Sequence, residues 1–307
     1  MEIRQLKYLL SVVRLGSVRA AAEEHYVTQP AVSIQLKKLE TELGERLLER
    51  RKGRMVLTET GRAVAEHAEA VVRGLEALEN TLAGLRGLKG GRLRVGNIDA
   101  ASVYVLPAVY RTFRRHYPGV KIEIVVGDTA HLLESLRRGE IELATTTLPV
   151  DAPGFTALPI YREEMVLVAD PKHVLLRRRR VMLSDVVAAG LITYPPRSVT
   201  RGLLERVFLD HGLPLNAIME IASPEAIKRL TQAGLGVSIL PRPVVAAEVR
   251  RGTLGLIPLG AVRFHRTIGM VMREGASLSP PARVFLDMVR AKFPAIDAIR
   301  TRTGDTN

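Results

Sequence analysis

The apolar positions of the first 60 residues fall at helical spacing in three short runs, each closed by a turn residue. Leu6, Leu9, Leu10 and Val13 define one helix, which stops at Leu15-Gly16 because glycine tolerates the left-handed backbone just past a helix end. Ser17 caps a second helix over 18–25, where Ala20, Ala21 and Ala22 leave room for another helix to pack closely. Thr28 is placed to cap a third, with Pro30 in its first turn, where a missing N–H costs nothing. Val32, Leu36, Leu39 and Leu43 give that helix its inward stripe and leave Gln29, Ser33, Gln35, Lys37 and Lys38 outside. The run from Leu47 to Leu57 reads as two short strands around a basic turn of Arg51, Lys52, Gly53 and Arg54.

Two helices joined by a tight turn, the second with a polar and basic outer face, make a helix-turn-helix whose second helix enters the major groove. The alternative is a small helical bundle whose Gln and Lys are solvated surface. A wing beside the helices would carry Arg51, Lys52 and Arg54 to phosphates or a minor groove. Gln29 suits adenine N6 and N7, Ser33 reaches either base or phosphate, and Pro30 offers an apolar contact to a thymine methyl. Thr28, Gln35 and Lys37 complete the candidate DNA contacts.

From Thr58 the pattern becomes one long helix, capped by Thr58-Glu59-Thr60. Its apolar positions Val64, Ala68, Val71, Leu75, Leu78, Leu82 and Leu85 are spaced alternately four and three apart, the seam of a coiled coil with a second copy. A helix packed on its own domain is the competing reading, and it would want a wider apolar face. Over 58–88 the helix spans about 46 Å, and Gly87, Gly90 and Gly91 end it.

Beyond Arg92 strands alternate with helices: strands at 93–97, 121–127 and 143–147, helices at 102–116 and 130–138. A second series has strands at 165–169, 191–194, 217–221, 237–241 and 268–272, with helices at 200–211 and 224–234. Apolar strands between amphipathic helices predict a mostly parallel sheet in two α/β subdomains, with ligand bound at the strand ends in the cleft between them.

Composition narrows the chemistry. At 307 residues, 47% hydrophobic and 25% charged, the chain is of globular type and long enough for two or three domains. Its net charge of +13 suggests a polyanionic partner. Yet residues 1–90 hold 15 Lys and Arg against 12 Asp and Glu, while the remainder holds 30 against 20. The case for DNA therefore rests on where Arg51, Lys52 and Arg54 sit. The absence of cysteine excludes disulfides, a thiolate nucleophile and Cys-ligated metals, and the seven scattered histidines offer no metal spacing. No metal or cofactor is expected. No nucleophile elbow or phosphate loop marks an enzyme. No apolar run is long enough for a membrane span, so a cytoplasmic protein is expected.

Four ordered, gap-free stretches carry a resemblance: Gly16-Ser17-Val18-Arg19-Ala20-Ala21-Ala22; Val27-Thr28-Gln29-Pro30-Ala31-Val32-Ser33; Leu39-Glu40 with Leu43-Gly44; and Leu57-Thr58-Glu59-Thr60-Gly61. Together they resemble the winged helix-turn-helix of LysR-type transcriptional regulators. Further on, Ala226-Ile227 and Gly234-Leu235-Gly236-Val237-Ser238-Ile239-Leu240-Pro241 are similar to a run in that family's sensor domain. The family pattern usually has Thr where Arg19 stands, Leu where His25 stands, and Arg or Lys where Ile34 stands.

The resemblance implies a winged helix-turn-helix over 1–58, a dimerising linker helix over 59–90 and a two-lobed α/β effector domain of periplasmic-binding-protein type over 91–303. Lobe I would comprise about 91–164 plus 267–303, and lobe II about 165–266. It further implies a dyad-symmetric operator on double-stranded DNA, a homodimer pairing into a tetramer, contact with RNA polymerase and control by a small-molecule metabolite. The effector residues it implies are Asn97, Asp99, Ala100, Ala101 and Ser102 after the first strand, Thr145 and Thr147 at the end of the third, and Ser198, Thr200 and Arg201 at a helix start. Helix N-termini and hydroxyls suit an anion. Ser102 and Thr200 have a plainer reading as helix caps. Asp99 either caps the helix that follows it or binds a hydroxyl or amine of the effector.

Overall fold

A computed structural model describes residues 1–85, 88 and 90–293, and the chain divides into two compact units between Leu82 and Ala83. Gly87, at the expected end of the long helix, and 294–303 of the expected effector domain lie outside the described residues.

The first unit contains α1 (Ile3–Leu15), α2 (Val18–Glu24), α3 (Gln29–Leu43), a hairpin of β1 (Leu48–Arg51) and β2 (Arg54–Leu57), and α4 (Glu59–Leu85). Leu6, Leu9, Val12, Ala21, Val32, Leu36, Leu39 and Leu47 form its core. Gly16 takes φ 66° to end α1, and its carbonyl accepts from the Met55 amide at 2.9 Å, which stitches the hairpin to the helix end. Ser17 Oγ accepts from the Ala20 amide to cap α2. Thr28 stands at the start of α3 but makes no capping bond. The reason is local: Pro30 has no N–H, and the Ala31 amide already donates to the Thr28 carbonyl. Leu43, the last of the expected inward stripe, is 39% exposed.

Thr58 Oγ1 accepts from the Gly61 amide at 2.9 Å and donates to the Arg46 carbonyl, so one hydroxyl both caps α4 and fixes the hairpin. A Cβ at Gly61 would overlap the Leu47 carbonyl, which is why that position takes glycine. Ala65 and Ala68 of α4 are buried, with Val64 and Val72 against the same core. The beginning of the expected seam is thus spent within its own unit. Val71 and Leu78 remain exposed.

The second unit begins with β3 (Arg92–Asn97), a π turn (Ala101–Val105), α5 (Pro107–His116), β4 (Lys121–Val126), α6 (Thr129–Arg137), β5 (Leu143–Leu148) and β6 (Phe155–Ala169). It continues with α7 (Leu183–Ala189), β7 (Leu191–Thr193), α8 (Val199–Asp210), β8 (Ala217–Glu220) and α9 (Pro224–Gln232). The last elements are β9 (Ser238–Pro241), α10 (Arg242–Arg250), β10 (Gly255–Ile257), β11 (Phe264–Arg273) and α11 (Pro280–Lys292). The single helix expected over 102–116 is broken. Pro107 has no amide to continue the ladder, and the Leu106 amide reaches back five residues to Ala101 instead.

The main sheet has the order β10-β6-β11-β5-β3-β4, with β9 also on β6; β7 and β8 form a separate parallel pair. It is mixed, which corrects the expectation of a mostly parallel sheet. Only β4-β3-β5 is parallel; β11 runs antiparallel to both β5 and β6. The two long strands β6 and β11 pair from Phe155↔Arg273 to Met165↔Phe264 and pass through both halves of the unit. One half packs Leu93, Val95, Phe113 and Phe285 beneath α5 and α11, with Leu132, Leu136 and Val271 on the other sheet face. The second half packs Leu167, Ile192, Phe208, Ile227, Ile239 and Val244. Between them lies the π turn, with Ala101 and Val105 in the first core and Tyr104 against the second.

Candidate nucleic-acid interface and effector cleft

Thr28, Gln29, Pro30, Ser33 and Lys37 are all exposed along α3, beside Ile34 at 55%. Gln35 is half-buried and accepts from Gln5 Nε2 at 3.3 Å, so it is held against α1. The hairpin register pairs Arg51 with Arg54, leaving Lys52 and Gly53 as a two-residue turn with φ of 47° and 81°. Positive φ at both positions is what a tight hairpin with native twist requires. It carries the exposed Lys52 at its tip, between Arg51, 2.7 Å from Glu49, and Arg54, which lies over Gly16. His25 fills the departure from the family pattern by bonding: a ring nitrogen lies 2.7 Å from Ser11 Oγ, and the ring meets Tyr8 edge-on. It ties α2 to α1.

In the second unit a cavity of about 280 Å³ opens at the carboxyl ends of β3 and β5 and the starts of α8 and α9. Of the predicted effector residues, Asp99, Ala100, Thr147, Ser198 and Thr200 line it, together with Arg197. Asn97, Ala101, Ser102, Thr145 and Arg201 do not. Asn97 is wholly buried and donates to the Tyr110 hydroxyl at 2.7 Å; Thr145 is buried against Met270. Arg201 points away, its guanidinium spent on Glu205, Glu220 and the carbonyls of Tyr194 and Leu215.

The capping expectations fail for three residues. Ser102 lies inside the π turn, with its hydroxyl buried and without a partner among the described residues. Thr200 sits inside α8, whose first position is Ser198, and its hydroxyl accepts from Arg266 Nη1 at 3.1 Å. Asp99 caps nothing: its Oδ2 accepts from Ser223 Oγ at 2.9 Å, across to the start of α9. Neither sequence expectation for Asp99 describes this bond. A second set of bonds joins the same segments, in which Tyr104 donates to Glu225 and the buried Lys228 donates to Tyr104, Glu225 and the Val244 carbonyl. Glu248 closes this set 3.0 Å from Lys228. Burial alone would raise the Glu248 carboxyl, but the Lys228 ammonium beside it leaves it below the ordinary value.

Beneath the cavity Arg266 and Glu163 form a buried ion pair, directly opposite each other in the β11–β6 register. Thr147 and Thr200 hydroxyls lie 3.4 Å apart above it. Tyr194 also lines the floor, and burial pushes its hydroxyl up to about 12, so it stays protonated. Arg266, Tyr194, Ser223 and Asp128 belong to the lining without having been predicted. A signal existed for two of them. Arg266 is a charge in the inward phase of Phe264, Ile268 and Met270, and Ser223-Pro224-Glu225 is a helix-start pattern.

The chain matches two family models: a bacterial regulatory helix-turn-helix protein of the lysR family over residues 3–62, and the LysR substrate binding domain over residues 86–294. It is 31% identical to the HTH-type transcriptional activator CmpR of Synechocystis, over 96% of each chain. It is 30% identical to the RuBisCO operon transcriptional regulator of Allochromatium vinosum, covering 94% of this chain and 95% of that one. Full-length CbnR complexed with its target DNA superposes with a TM-score of 0.72 at 26% identity, over 95% of this chain and 99% of that chain. With a winged helix-turn-helix at one end and a two-lobed α/β domain around a cavity at the other, the chain belongs to the LysR family of DNA-binding transcriptional regulators and senses an effector; it is not an enzyme.

Proposed function

We propose that Gln29, Pro30 and Ser33 read base edges of a dyad-symmetric operator, while Thr28, Gln35 and Lys37 position α3 and Arg51, Lys52 and Arg54 hold phosphates or a minor groove. The exposed Val71 and Leu78 of α4 support pairing with a second copy, which supplies the symmetry of the operator. Residues 1–58 serve as the DNA-binding domain, 59–90 as the dimerising linker and 91–303 as the sensor, which works in the cytoplasm where its DNA is. Lobe I (91–164 plus 267–303) and lobe II (165–266) close on a small oxyanion-bearing metabolite. Effector binding changes the lobe angle, re-spaces the dimers of a tetramer and alters promoter bending and contact with RNA polymerase. The relative from Allochromatium vinosum regulates a RuBisCO operon, which makes such an operon the first target to examine.

One observation carries this reading: the cavity has walls from both lobes, Asp99 and Thr147 on one side and Ser198, Thr200 and Ser223 on the other. Its occupant therefore bears on the lobe angle, provided it binds one arrangement more tightly. A thermal-shift screen of metabolites finds the ligand, since a specific binder stabilises the folded chain by RT ln(1 + [L]/Kd). Fluorescence transfer across an end-labelled operator then reads bending. A ligand that stabilises the chain and leaves the bend unchanged refutes the mechanism.

A further inference from the structure

Buried polar groups nearly always have partners, so a buried hydroxyl without one marks the place where a partner belongs. Tyr194, at the end of β7, is 3% exposed, lines the cavity floor, and its hydroxyl has no hydrogen-bond partner among the described residues. It is packed in the core of its lobe, so the hydroxyl is held at the cavity and not free to turn to solvent.

The neighbouring groups fix what that partner is. Arg266 donates to Thr200 Oγ1, and an arginine accepts nothing. Thr200 therefore keeps its own proton to give. The Thr147 and Thr200 hydroxyls share one contact at 3.4 Å, and whichever donates to the other, one hydroxyl proton of the pair is left over. Glu163, the nearby acceptor, is committed to Arg266. The start of α8 adds backbone amides, because Ser198 makes no capping bond there. The floor is thus a set of donors whose one carboxylate is already taken.

We propose that Tyr194 is an effector-contacting residue, donating with the Thr147–Thr200 pair to an ionised oxyanion of the effector, a carboxylate or a phosphate, and discriminating against neutral groups that carry their own protons. This rests on the reading of the cavity as the effector site. The discrimination follows from unpaired donors: an amide or alcohol placed there would leave donor facing donor.

Thermal stabilisation of the full chain tests this, with acetate and inorganic phosphate as oxyanion probes and acetamide and glycerol as neutral ones, each at constant ionic strength. Expected is stabilisation of the wild type by at least one oxyanion and by neither neutral probe. In Tyr194→Phe the apparent affinity for that oxyanion falls about tenfold or more, as for a lost hydrogen bond to a charged group. The same variant without ligand should melt at the wild-type temperature or above it, because only an unpartnered hydroxyl is removed. Three results overturn the assignment: wild-type binding in Tyr194→Phe, equal stabilisation by acetamide or glycerol, or a ligand-free variant that melts lower. If no probe stabilises even the wild type while another metabolite binds the cavity, the oxyanion assignment falls and the effector site stands; if nothing binds, both fall.

Discussion

The hydroxyl of Ser223, at the start of α9, donates to Asp99 Oδ2 at 2.9 Å, and the two residues are 124 positions apart in the chain. Both line the cavity, so this bond spans the gap that an effector would enter. Asp99→Ala and Ser223→Ala should each lower stability by about 1–2 kcal/mol, with most of that effect shared in a double-mutant cycle. Urea unfolding of the four proteins checks it. Strictly additive effects would mean that the bond contributes nothing.

At the DNA, Gln29→Ala should cost roughly 1–3 kcal/mol on the operator and relax base preference at one position per half-site. Selection from a randomised half-site reads this. Equal weakening on scrambled DNA would reassign Gln29 to the backbone.

Lys52→Ala at the tip of the wing should weaken operator and scrambled duplexes alike, lowering the slope of log K against log salt by about 0.9 for each phosphate that is no longer neutralised. Arg51→Ala should have the smaller effect of the two, since Arg51 already lies 2.7 Å from Glu49. A salt titration of each variant decides it.

The buried pair below the cavity makes a stability prediction. Glu163→Leu leaves the Arg266 charge in the core without its partner and should cost about 3–5 kcal/mol. Replacing both by apolar residues should recover much of that loss. A double variant as unstable as the single one would show that Arg266 does not suffer from the missing charge.

For the linker, Leu78→Glu removes an exposed apolar residue from each of two copies and should weaken the dimer by about 3 kcal/mol, some hundredfold in Kd. Sedimentation over a concentration series measures it. An unchanged dimer would place the interface elsewhere.

The helices of the first unit were legible because their signals are local: periodicity, Gly16 at a helix end, Ser17 at a helix start. Even there, Thr28 failed as a cap because its neighbour Pro30 removed the donor, and α4 gave Ala68 to its own core. The second unit was legible as strands and helices but not as a sheet. The pairing of β6 with β11 joins residues about a hundred positions apart, and no local pattern encodes it. The Phe155–Pro159 end of β6 looks like a loop, with a proline and only alternate apolar residues. The cavity floor was hidden for the same reason. Arg266 is recognisable as a charge out of phase, but its partner Glu163 is given by register alone, and Tyr194 becomes informative only once its hydroxyl is known to lack a partner.

The most direct test is a fluorescence-anisotropy titration of the full chain against a duplex recovered by chromatin immunoprecipitation and against a scrambled duplex, at about 0.15 M salt. It is run with and without the metabolite found by thermal shift. A regulator of this kind should bind the recovered duplex on the order of a thousandfold or more tightly than the scrambled one, and the metabolite should change affinity or bend for the recovered duplex alone. Equal affinity for the two duplexes, or a bound metabolite that alters neither quantity, would contradict an effector-controlled, sequence-reading protein.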